Sequence, residues 1–326
     1  MDITPYLRDD QPIFTRGDLE RVEDQLAQDN ESIQLRALLN DELLSQPNPY
    51  RGLGPADPLP GEKRMRPLVR FNDERKLRKA IASGQQNRFS CVEAWQGTLW
   101  GPRKSEADTR QEMRRIVDEW EASEECGDLV NALKSSTLSP RIDKVIGFGM
   151  GVIASNSAGL AKTHMKEHAV ALTIAKAIEE VGGGGVAVYS QEPQYTSVCK
   201  KVLEEEFGIR VIEGFGARGF TLVDDRTFVL AHNSSICVRE IIADLARPAG
   251  MCWRRSATPA QIRNMDDLRR DVRADIDTTR TENMMRGYSR VPGARVSSIL
   301  PNNGWVPEHD MRLRDCAPQK PGDENA

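Results

Sequence analysis

Aromatic residues are sparse, at 6% of 326 positions, and no apolar run approaches the ~20 residues that a membrane-spanning helix requires. The charge surplus that would hold nucleic acid is also missing. Lys and Arg total 45 against 49 Asp and Glu, a net charge of −4, so a phosphate backbone is not an expected partner. The first residues, Met1 to Pro5, lack a basic stretch followed by an apolar one, which argues against a secretory leader. Cys91, Cys126, Cys199, Cys237, Cys252 and Cys316 are scattered and include no C-x-x-C pair. That pattern suits reduced thiols better than a disulfide framework. The expectation is a soluble protein of the cytoplasm or nucleus.

What is present divides the chain into four stretches. Residues 1–70 read as a helical arm and a proline-rich linker. Leu19, Val22 and Leu26 form one helical stripe after Asp18, and Ile33, Leu35, Leu38, Leu39, Leu43 and Leu44 a second apolar set. Pro47, Pro49, Pro55, Pro58, Pro60 and Pro67 then predict a surface loop over 46–68. Residues 71–139 read as helical segments packing on the core, including an amphipathic stretch with Met113, Ile116, Val117 and Trp120 on one side. From 140 to 255 strand and helix alternate. Strands are expected at 142–148, 186–189, 209–212, 220–223, 227–231 and 250–253, and helices at 157–181, 195–207 and 235–245. Alternation of this kind, with nearly continuous apolar strands, predicts a Rossmann-like α/β fold: a mostly parallel sheet with helices on both faces. Residues 256–326 read as a charged helix over 259–287 and a disordered tail.

The chemistry-bearing candidates lie at predicted strand ends. Gly147-Phe148-Gly149-Met150-Gly151 closes the first strand of the α/β stretch. Glycines there allow positive φ and let backbone approach a ligand with no Cβ in the way. The loop departs from the G-x-G-x-x-G dinucleotide fingerprint at Val152. It satisfies a methyltransferase-type G-x-G-x-G, but Val145 stands where an acid usually precedes it. The second candidate is Tyr189 to Tyr195, where Glu192 is placed to accept from ribose hydroxyls or to sit at a helix start. The third is His232-Asn233, with the histidine as base, ligand contact or turn brace. His164 and His168, four apart on one helix, have metal or haem spacing, but no third protein ligand accompanies them and packing is the preferred reading.

Taken together, Val145-Ile146-Gly147-Phe148-Gly149, Val188 to Tyr195 and Phe228 to Asn233 resemble the sensitivity-to-red-light-reduced (SRR-like) family, most of all its fungal branch. In that family a G-x-G strand, a Tyr-Asp-Pro-type segment and a Pro-His-Cys-type strand end follow in this order. Here Gln191-Glu192-Pro193 replaces Asp-Pro, Ala231 replaces the proline and Asn233 the cysteine. The resemblance covers about a third of the chain. It implies a regulatory role in light signalling, clock function, growth, stress or haem metabolism, with no established reaction. The expected ligand is nucleotide-like or haem, and the terminal arms are expected to meet protein partners. Two other readings stay open: an S-adenosylmethionine-dependent methyltransferase-like enzyme and a protein-interaction scaffold. No cofactor is fixed by the sequence.

Overall fold

A computed structural model describes residues 11–48, 51–53, 57–138, 141–155, 157–232, 235–254, 275, 277–294 and 309–315. Its centre is a seven-stranded sheet. The strands β5 (Lys144–Phe148), β6 (Ala187–Gln191), β7 (Arg210–Val211), β8 (Thr227–Ala231), β9 (Gly250–Arg254), β10 (Tyr288–Arg290) and β11 (His309–Arg314) lie in the order β10-β11-β9-β8-β5-β6-β7. The five from β9 to β7 are parallel, and β11 and β10 are added antiparallel. β5 is the reversal point. The chain steps from it to β6 and β7 on one side, then returns to β8 and β9 on the other. In an open α/β sheet the ligand crevice lies at such a point, outside the carboxyl ends of the strands. The fold is α/β with a mostly parallel sheet between helices, as the alternation implies.

Side-chain alternation along the strands feeds two cores. Val145, Phe228, Leu230 and Cys252 face one core, where they meet α3 (Glu106–Glu121), α4 (Glu124–Lys134), α5 (Ala158–Gly182) and α6 (Ser197–Phe207). Ile146, Phe148, Val229 and Trp253 face the other. That second core is completed by α1 (Arg16–Ala27), α2 (Glu74–Ala82), α7 (Arg218–Thr221), α8 (Val238–Leu245), α9 (Thr279–Met285) and two antiparallel hairpins. The hairpins are β1 (Ser32–Arg36) with β2 (Leu43–Pro47), and β3 (Lys63–Phe71) with β4 (Val92–Trp100).

Local chemistry explains the helix limits. The Thr15 hydroxyl caps α1 by accepting the Asp18 N–H, and α5 stops where Gly183 takes a left-handed φ of 67°. No described helix is long and apolar enough to cross a membrane.

Several expectations need correction. The second apolar set of the arm forms strands, because Ile33 and Leu35 alternate with half-buried polar residues in a β pattern. The 46–68 linker overlaps β2 and β3. Pro67 is tolerated in β3 because a two-stranded sheet has only edge strands. Described residues 13–38 are no arm: Ile13, Phe14, Leu19 and Ile33 are fully buried in the second core. Residues 220–223 belong to a helical turn and not to a strand, and the tail contributes β11. Most of the helix expected at 259–287 lies outside the described residues.

Candidate functional site

The glycine loop lies at the reversal point, with Gly149 and Gly151 at φ values of 65° and 73°. Much of the room its glycines leave is taken by the protein itself. A Cβ on Gly147 would come within 2.5 Å of the Met150 sulfur, and one on Gly151 within 2.3 Å of the His164 ring. Gly149 is half-buried and donates its N–H to the Gln191 carbonyl at 3.0 Å. Phe148 and Met150 drop out of the candidate site. Phe148 is fully buried and stacks on Phe220 at 4.2 Å, and Met150 packs in the first core. Tyr189 drops out too, because β6 turns it to the opposite face, where its hydroxyl accepts from Arg210 at 2.9 Å.

Glu192 stays and comes closer than the sequence shows. Its carboxylate accepts the Gln194 N–H at 2.9 Å and lies near the Gly151 N–H. Burial raises its pKa, and these two donors together with the charge of Arg66 hold it back. An acid at the end of the second parallel strand thus stands beside the loop after the first. Across β5, at the end of β8, His232 is buried, with Nε2 3.6 Å from Cys252 Sγ on β9. Burial pushes the Cys252 thiol upward, so it is no activated nucleophile. Asn233 lies outside the described residues.

Three contributors were not placed at the loop by the sequence: His164 and His168, singled out there only for metal spacing, and Arg66. His164 lies in the second turn of α5, with Nδ1 3.0 Å from the Val152 carbonyl, so the helix reaches the loop directly. Desolvation lowers its pKa against that hydrogen bond. One turn later, His168 Nδ1 lies 2.6 Å from the His164 carbonyl and its Nε2 meets the Tyr195 hydroxyl, which contacts Ser190 Oγ at 2.7 Å. With both ring nitrogens of His168 engaged, the pair makes no H-x-x-x-H metal clamp. Among the described residues no group of three or more His, Cys, Asp or Glu is placed to hold a metal ion.

Arg66 is the third. It reaches from the β3–β4 hairpin to the carbonyls of Pro193 and Gly214, across the ends of β6 and β7. Nearby, the Arg103 N–H joins the Ala154 carbonyl at 3.2 Å and Asp57 accepts the Ser197 N–H at 2.5 Å. The hairpin and its flanks thereby form a strap tied to the loops after β5, β6 and β7. Nothing local pointed to Arg66, which lies in a basic stretch beside Pro67, far along the chain from Glu192.

The fold and crevice define a Rossmann-like α/β protein. The chain matches no protein-family model and no curated protein. Among solved structures it is similar to an S-adenosylmethionine-dependent methyltransferase from Agrobacterium tumefaciens at 14% identity, over 68% of this chain and 67% of that one, with a TM-score of 0.28.

Proposed function

We propose that the protein is a regulatory, SRR-like protein of the cytoplasm or nucleus whose Rossmann-like domain holds a small nucleoside-type ligand. The ligand lies against Gly149–Gly151 and Glu192, and its occupancy carries the signal. The observation behind this reading is the Glu192 carboxylate at the end of β6, held by the Gln194 N–H beside the glycine loop at the strand-order reversal. A carboxylate at that place accepts ribose hydroxyls in dinucleotide-binding sheets. Protein partners, in this reading, engage segments outside the described residues.

A thermal-shift screen with S-adenosylmethionine, NAD, NADP and haem tests the proposal. A ligand that binds only the native state adds about 2.7 kcal/mol at a hundredfold excess over Kd. The expected result is a shift that Glu192→Gln weakens and Gly149→Val abolishes. Gly149→Val also strains a positive-φ position, so the isosteric Gln variant is the cleaner probe. A shift unchanged in both variants moves the site elsewhere. A shift with S-adenosylmethionine accompanied by turnover selects the methyltransferase-like reading.

A further inference from the structure

A glycine loop that binds pyrophosphate offers unpaired backbone N–H groups to the anion. Here the Gly149 N–H is used by the Gln191 carbonyl at 3.0 Å. The Glu192 carboxylate, held by the Gln194 N–H at 2.9 Å, stands beside the Gly151 N–H. A carboxylate therefore flanks the place that phosphate oxygens would need. The cation acting on Glu192 is Arg66, and its guanidinium already donates to the Pro193 and Gly214 carbonyls. Four carboxylates act on Arg66 in turn: Glu213, Asp57, Glu192 and Glu23. Lys200 pairs with Glu213 at 2.8 Å, which offsets only one of them. An arriving phosphate would have to approach Gly151 past Glu192 and this acidic set.

His164 adds a second acceptor. Its Nδ1 faces the Val152 carbonyl, so that nitrogen carries the proton and Nε2 keeps its lone pair. The ring is half-buried against Gly151, and among the described residues no hydrogen bond reaches Nε2. Two acceptors on one loop call for donors on the ligand.

Resting on the crevice reading above, we infer that the site takes an uncharged or cationic nucleoside-type ligand, held through its hydroxyl or amine donors by Glu192 and His164, and rejects phosphorylated nucleotides. Glu192 is the specificity-determining residue. Charge, not shape, makes the distinction, because a monophosphate adds only one group to the same nucleoside.

Titration calorimetry of the full chain tests this. The probes are adenosine, guanosine, cytidine and uridine, each paired with its 5′-monophosphate, together with S-adenosylmethionine and NAD. The expected result is at least one unphosphorylated probe binding tenfold or more tightly than its phosphorylated counterpart. That ratio should shrink several-fold between low and high salt, because screening weakens the repulsion. In Glu192→Gln it should fall below about threefold, because a neutral amide no longer repels the phosphate. A monophosphate or NAD binding as tightly as the bare nucleosides, or a ratio untouched by both salt and the Gln variant, overturns the inference and leaves the crevice reading standing. Silence from every probe removes the crevice reading, and the inference with it.

Discussion

The two faces of the sheet bury polar groups in opposite ways. Under α5 and α6 lies an uncharged chain in which Ser190, Tyr195 and His168 join strand, loop and helix through matched donors and acceptors, all at 1% exposure or less. Under the N-terminal layer lies an ionic knot. Fully buried Arg280 donates to Asp244 at 2.7 Å and to Glu240 at 3.1 Å. The same carboxylates accept the N–H groups of Ile13, Phe14 and Glu74, each at 2.9 Å. Glu23, 1% exposed, does similar work by accepting from the Phe215, Ala217 and Arg218 amides. The neutral chain fixes where the glycine loop sits, since His164 and His168 both act through it. The ionic knot joins chain segments more than 200 residues apart. One network positions the site, and the other holds the layer that carries the strap.

Removing the cation tests that division hardest. Arg280→Ala leaves two buried carboxylates without their partner, and the expected loss is about 3–5 kcal/mol in denaturant unfolding. A loss below 1 kcal/mol would mean that the knot does not hold the N-terminal layer. Tyr195→Phe removes one hydroxyl and strands Ser190 and His168, an expected loss of about 1–3 kcal/mol. It should also raise hydrogen exchange at residues 149–153, whereas Arg280→Ala should act first at residues 13–38. Equal effects on both segments would erase the distinction.

Two further effects are slopes with pH, and they run in opposite directions. Burial lowers the His168 pKa to about 4 from its ordinary 6.5. Between those values the unfolded chain binds a proton that the native chain refuses, so stability falls as pH drops from 6.5 toward 4. Burial raises Glu240 to about 8 from 4.5, ahead of the lowering by the Glu74 N–H and Arg280. Here the native chain holds the proton that the unfolded chain has released, so stability falls as pH rises from 4.5 to 8 and then levels off. His168→Gln should flatten the acid limb and Glu240→Gln the alkaline limb, as read from melting temperatures across pH. A His168→Gln curve parallel to the native one below pH 6.5 would contradict the neutral-chain assignment.

The faces also differ in how much of them is legible in the sequence. β5, β6 and β8 are short apolar runs followed by turns, and long periodic helices separate them, so periodicity alone finds them. The N-terminal layer hides for local reasons. β1 offers only Ile33 and Leu35 as alternating core positions, too few to outweigh a helical reading next to Leu38 and Leu39. β3 carries Pro67 among four basic residues, which reads as linker until β4 pairs with it. Charged Glu23, Glu240, Asp244 and Arg280 look like surface residues, because nothing local shows that a distant partner waits for each. The positions of the glycine loop after β5 and of Glu192 after β6 were legible. Their closeness, that of His164, and the diversion of Phe148, Met150 and Tyr189 depend on strand register and tertiary packing.

Hydrogen exchange with and without the tightest-binding nucleoside probe tests the central claim most directly. The account predicts slowed exchange confined to residues 149–153 and 190–196, the loop and the strand end that Glu192 joins. Protection centred on the N-terminal layer or on 235–245, with those two segments unchanged, would contradict it.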